Sequence, residues 1–259
     1  GEVRKLYGEL WSITKLKPIR WLVLILFTIK VPFAVTDGAT SLKLVEYGVN
    51  KEELAALAPL LVVLGLLTPI IIGPYIKTGK RSLSVILWVM PLRMLAGLVY
   101  QVTLVLIRSV PSRSEFPAWL HILIAFATSF HAIAMNIQFI ACMCFFAQIS
   151  DPAIGGTYMT LLNTFNNLGS KWPISVCLWL LDMMTTKECR ASADSGALNL
   201  AGMTCDAGGE ACPGTCVTTV DGYDTQFMLC TVVGFVWLIL FRKKVMELGT
   251  LGQSAWRIQ

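Results

Sequence analysis

The chain has 259 residues, of which 55% are hydrophobic and 14% charged, with a net charge of +5. Soluble domains carry roughly 25% charged residues, and a mean hydropathy of +0.66 excludes an ordinary water-soluble fold. So small a net charge, with most cations at the ends of apolar runs, gives no basic footprint for nucleic acid.

Residues 1–18 are polar and basic, lack a signal-peptide layout, and read as part of a longer protein. A bilayer core about 30 Å thick takes about 20 apolar helical residues to cross. The first such run goes from Ile19 to about Ala39, the second from Leu54 to Ile76, and the third from Leu83 to Ile107. A fourth extends from Pro117 to about Ile149, a fifth from Pro152 to near Met184, and a sixth from Tyr223 to Phe241. The fifth is polar in its first half. Lipid offers no partner for backbone groups, so spans must be helices or closed barrels, and these runs lack the alternation of barrel strands. The expected architecture is an all-α membrane protein: a six-helix bundle over residues 19–244 and a cytoplasmic tail over 245–259. Pro117 and Pro152 are placed at first helical positions. Residues 77–80 and 111–114 are short polar turns, and residues 185–222 form a long loop.

Twelve Lys and Arg flank one side of these spans and six the other. By the positive-inside rule both termini are cytoplasmic, which needs an even number of crossings and so counts the fifth run. Cys142, Cys144, Cys177 and Cys230 lie in apolar runs and read as small hydrophobes. Cys189, Cys205, Cys212 and Cys216 fall in the long loop, on the non-cytoplasmic side. They read as two disulfides with three possible pairings. A zinc site is the weaker reading, because Cys212 and Cys216 form the single close pair. No metal or cofactor is expected.

Ionisable residues at bilayer depth are costly and mark function by default. Lys30 and Asp37 stand two helical turns apart on one face, facing one aqueous cavity or separate partners. Arg93, behind Pro91, either binds an anion or snorkels to the cytoplasmic face. In the fourth span Thr128, His131, Gln138 and Cys142 share a face, and His131 is suited to proton coupling, substrate contact or a structural role. In the fifth, Gly156, Thr160, Asn163, Thr164, Asn167 and Lys171 fall within about 100° of one another. Such a stripe faces protein or water, as helix–helix glue or as the wall of a passage. Lys30, Arg93, Lys171 and His131 against Asp37 leave a positive lining, which suits an anionic substrate. No Walker loop, G-x-S-x-G or H-E-x-x-H is present, so an ATP-driven pump or a soluble-type enzyme has no support.

The run Ser150–Asp151–Pro152–Ala153–Ile154–Gly155–Gly156–Thr157–Tyr158–Met159–Thr160, continuing through Asn163–Thr164, Asn167–Leu168–Gly169 and Trp172–Pro173, closely resembles the acetyl-coenzyme A transporters of the endoplasmic reticulum membrane, solute carrier family 33. Leu42–Lys43–Leu44–Val45–Glu46, Met90–Pro91 with Arg93, Lys187–Glu188–Cys189 and Asp221–Gly222–Tyr223 extend the likeness from about Lys30 to Tyr223. Lys171 departs from it, standing where relatives carry an uncharged residue. The resemblance implies helices seven to twelve of a major-facilitator fold whose N-terminal half lies upstream, with residues 1–18 as the end of the cytoplasmic linker. It implies transport of acetyl-CoA from cytosol into the lumen, where it supplies acetyl groups, and not an enzyme.

Coenzyme A carries a 3′-phosphate and a pyrophosphate, which Lys30, Arg93 and Lys171 are suited to hold. Thr160, Asn163, Asn167 and Gln138 are expected to orient it, with Asp37 and His131 in coupling or gating. A half acting alone would need a homodimer. The competing readings are carriage of another organic phosphate, a membrane acyltransferase using His131, and a receptor-like protein whose disulfide loop binds a partner.

Overall fold

The computed structural model describes residues 8, 11–76, 79–110, 116–152, 154–190, 205 and 215–257. The turns expected at 77–80 and 111–114 and the linker end over 1–18 fall largely outside the described residues, as does Cys212.

The first span is broken. Helix α1 (Lys17–Thr28) ends two residues before a 3-10 turn at Val31–Phe33, and α2 (Ala34–Glu46) resumes the path. Pro32 has no N–H to give an α-helical ladder, which accounts for the break. The resumed helix carries the span on to Glu46, past the expected end at Ala39. The second span is α3 (Lys51–Ala56) followed by α4 (Ala58–Ile76). Its most apolar window is 6% buried, so this span lies at the outside of the bundle. Helices α5 (Gly79–Ser109) and α6 (Ala118–Ile149) follow, with Pro117 as the N-cap of α6 rather than its first residue. Helix α7 (Gly155–Met184) starts three residues later than expected, so Pro152 lies in the turn before it.

The long loop carries a two-stranded antiparallel hairpin, β1 (Thr186–Arg190) with β2 (Thr215–Val220), which the sequence reading had left as plain loop. Cys205 is disulfide-bonded to Cys216, and Cys189 is also in a disulfide. Helix α8 (Gly222–Thr250) runs past the expected end at Phe241, and a 3-10 turn at Gln253–Trp256 tucks Trp256 into the interior.

Among the described residues, five stretches are long and apolar enough to cross a membrane: Lys17–Glu46, Lys51–Ile76, Ser82–Ser109, Ala118–Ile149 and Gly222–Thr250. The chain is an all-α membrane protein in its described spans. Helix α7 has the length, 30 residues or about 45 Å at 1.5 Å per residue, but its polar stripe keeps it below the others in apolarity.

The core is split in two. One cluster gathers Ile19, Leu22, Leu26, Met90, Phe146 and Tyr158. The other gathers Val35, Leu44, Leu104, Leu120, Ile124 and Tyr223. Along α5, α6 and α7 buried polar residues lie between the two clusters: Arg93, Gln138 and Asn166. Hydrophobic packing thus closes the bundle above and below a polar layer. Helix α7 meets α1 closely at Gly169, where an added Cβ would fall 2.2 Å from the Leu26 carbonyl oxygen.

Candidate functional site

The polar layer borders a cleft of about 290 Å³ lined by Lys30, Asp37, Arg93, Gln138, Asn166 and Asn167, among others. Its cations come from two elements. Lys30 caps the 3-10 turn created by Pro32, so the break in the first span is what presents it. Its ammonium donates to the backbone oxygen of Asn166 at 3.1 Å. Arg93 does not snorkel; its residue is 1% exposed. Its Nη2 donates to both carboxylate oxygens of Asp37, at 2.6 and 2.7 Å, and its Nη1 to Gln138 Oε1 at 2.5 Å. The guanidinium lies 4.1 Å from the Phe33 ring centre, an arrangement that favours Arg over Lys.

His131 stands behind Asp37, with Nε2 3.2 Å from Asp37 Oδ1. Its ring tilts against Tyr100 at 5.3 Å between centres. Several buried polar atoms of this layer lack a hydrogen-bond partner: Arg93 Nε, Gln138 Nε2, His131 Nδ1, Asn163 Oδ1 and Asn166 Oδ1. Buried polar groups normally find partners, and three of these atoms belong to residues that line the cleft, Arg93, Gln138 and Asn166.

Of the nine expected site residues, the cleft collects Lys30, Asp37, Arg93, Gln138 and Asn167. His131 joins through Asp37. Thr160, Asn163 and Lys171 are not part of the cleft lining. Thr160 and Thr164 turn their hydroxyls back to carbonyls of their own helix, at 2.9 and 2.8 Å. Gly156, Thr160, Thr164, Asn167 and Lys171 are exposed on the surface of the chain, so the α7 stripe faces outward, beside the cleft. Lipid cannot cover such a stripe. The sequence reading missed Asn136, Asn166 and Ser170, which also line the cleft. Ser170 lies three residues after Asn167 on the same face, a spacing that could have revealed it.

A second polar cluster, not foreseen, ties the helix ends to the hairpin. Lys43 bonds Glu46 at 2.8 Å and Asp221 at 3.1 Å. Tyr47 donates its hydroxyl to Asp221. Arg108 reaches Asp224 at 2.5 Å and Asp221 at 3.3 Å, over the Tyr47 ring. Burial pushes the Asp221 carboxyl up, but hydrogen bonds from Tyr47, the Tyr223 N–H and Lys43 outweigh it and hold the group below its usual range. Burial and the Asp221 charge together push the Tyr47 phenol above its usual range.

The family model described as acetyl-coenzyme A transporter 1 matches residues 1–86 and 80–258. The chain belongs to the acetyl-coenzyme A transporter 1 family. Among similar proteins, an uncharacterized membrane protein of Saccharomyces cerevisiae is 27% identical over 288 residues, covering 99% of this chain and 50% of the relative. An uncharacterized protein of Schizosaccharomyces pombe is 30% identical over 268 residues, covering 97% of this chain and 48% of the relative. The chain therefore spans about half the length of these relatives. No solved structure matches.

Proposed function

We propose that the chain is the C-terminal half of a major-facilitator-type carrier that moves acetyl-CoA from the cytosol into the lumen of the endoplasmic reticulum by alternating access. All six helical runs, α7 included, cross the bilayer in this reading, with both termini cytoplasmic. The observation that carries it is the cleft at the polar layer, opening beside a polar helix face that lipid cannot cover. The family membership supports acetyl-CoA as the substrate, and the cleft supports a site for it in this half. Lys30 is the cation placed to hold phosphate oxygens, and Asn136, Asn167 and Ser170 the polar groups placed to orient the rest. The N-terminal half covers the exposed α7 stripe and supplies the opposite wall. The acetyl groups delivered serve lumenal acetylation.

The acyltransferase reading has one observation in its favour, the contact of His131 with Asp37 at 3.2 Å. Against it, the remaining ring nitrogen of His131 is buried and His131 is not part of the cleft lining, so the imidazole has no open route to a thioester. The test is uptake of labelled acetyl-CoA by the full-length protein in liposomes. Removing a charge-assisted contact costs about 1.5–3 kcal/mol, so Lys30→Ala lowers uptake at limiting substrate by about 10–100-fold, and Asn167→Ala by less. Wild-type uptake in both variants would end the site assignment. Acetyl transfer by the purified protein without translocation would favour the enzyme.

A further inference from the structure

We propose that Asp37 and His131 together form a proton-binding site, and that one proton travels in the same direction as each anion carried. The inference rests on the carrier reading and goes beyond it by naming the coupling.

The argument begins with charge. Lys30 and Arg93 against Asp37 leave one net positive charge at the cleft. Arg93 is already matched: both Asp37 oxygens accept from its Nη2. A phosphate approaching Arg93 meets the Asp37 carboxylate beside it, and two anions at one buried guanidinium repel strongly in a low dielectric. The next residue, Gly38, packs closely on Ile174 of α7, where an added Cβ would lie 2.7 Å from its Cγ2. A counter-charge supplied to the carboxylate in place removes that repulsion.

His131 is built to do so. Its Nε2 contacts Asp37 Oδ1, while its Nδ1 is buried without a partner. In the neutral ring Nε2 carries the hydrogen and Nδ1 holds a vacant lone pair. A proton taken up there forms an N–H bond and makes the ring an imidazolium, which becomes the counter-charge of Asp37. Arg93, with its vacant Nε, is then released toward the anion. The cleft gains a second net positive charge, which suits a phosphate dianion. When the anion leaves, Arg93 returns to Asp37, and the N–H bond breaks to release the proton on the far side. The proton belongs to the pair rather than to either residue.

Other groups face this pair. Arg93 and Tyr100 face it from α5 and Lys30 from the turn, while Cys142 of α6 acts on Lys30 and Arg93. Lys171 of α7 acts on Lys30 at longer range. Tyr223 of α8 is engaged by Thr40 at 2.8 Å. Within this set His131 supplies the imidazole.

The test uses full-length protein in liposomes with the membrane potential clamped, and reads accumulation of labelled acetyl-CoA with and without a proton gradient of about one pH unit. One coupled proton gives about tenfold greater accumulation. The ratio falls to about one in His131→Gln and stays near tenfold in His121→Gln, the histidine paired with Glu53 on α3. No gain in the wild type overturns the proposal, with no variant needed, and so does a full gain in His131→Gln. Wild-type uptake at equal pH reports separately on the carrier reading. If transport is absent, calorimetry of coenzyme A binding in two buffers of different ionisation heat decides. About one proton taken up per anion sustains the site, and none sinks it.

Discussion

Replacing Asp37 by Asn leaves the Arg93 guanidinium buried with no carboxylate. Arg93 is 1% exposed, and the variant leaves it Gln138 and the Phe33 ring as neutral neighbours. Breaking a buried ion pair from one side costs about 3–5 kcal/mol. Asp37 lines the cleft and its side chain keeps 13% exposure, so water screens part of the loss and the lower end, about 3 kcal/mol, is expected. Arg93→Gln strands Asp37 less severely, because His131 remains 3.2 Å away. The double variant Asp37→Asn with Arg93→Gln removes both charges and recovers most of the loss, since residues in one ion pair do not contribute additively. Unfolding in mixed detergent–denaturant micelles, followed by tryptophan fluorescence, measures all four proteins. Strictly additive single variants, or an Asp37→Asn protein within about 0.5 kcal/mol of wild type, would refute the pairing.

Three further outcomes follow from other parts of the molecule. Gly169→Ala puts a methyl 2.2 Å from the Leu26 backbone oxygen, where no side chain can yield, and costs about 1–3 kcal/mol by overpacking in the same unfolding assay. The Asp221–Tyr47 clamp has a pH window set by both partners. The depressed Asp221 group contributes stability above its unfolded pKa near 3.9 and loses it as pH falls through the folded value. The raised Tyr47 group contributes below its unfolded pKa near 10 and loses it as pH rises through the folded value. Hydrogen exchange at the start of α8 is therefore flat between about pH 4 and 10 after correction for intrinsic rates, and Asp221→Asn removes the acid limb. Cys205→Ser opens a loop with a sequence separation of 11 residues, costs the hairpin about 2–4 kcal/mol, and speeds proteolysis between β1 and β2 without changing helix content.

The sequence revealed the spans well because twenty-residue apolar runs have few other meanings. Spacing put Lys30 and Asp37 on one face, toward one cavity or separate partners, and the structure brings both to one cleft although the helix between them is broken at Pro32. Val31–Pro32 was a visible signal of that break. The Arg93–Asp37 pair was not legible, since helical periodicity orders residues along one helix and says nothing of which helices meet. The direction of the α7 stripe was half legible. Its polarity showed that lipid could not cover it, but the structure was needed to show that it points outward beside the cleft. The hairpin was hidden because Thr186–Arg190 and Thr215–Val220 are short segments paired across a long intervening loop.

The central claim is that the polar layer between the two halves of the hydrophobic core is an anion site completed by a second bundle. A map of the full-length protein with acetyl-CoA bound tests this most directly. The account predicts phosphate density within hydrogen-bond distance of Lys30 and ordered helices from the other half against Thr160 and Asn167. A dry layer, with α7 facing lipid and the ligand elsewhere, would contradict it.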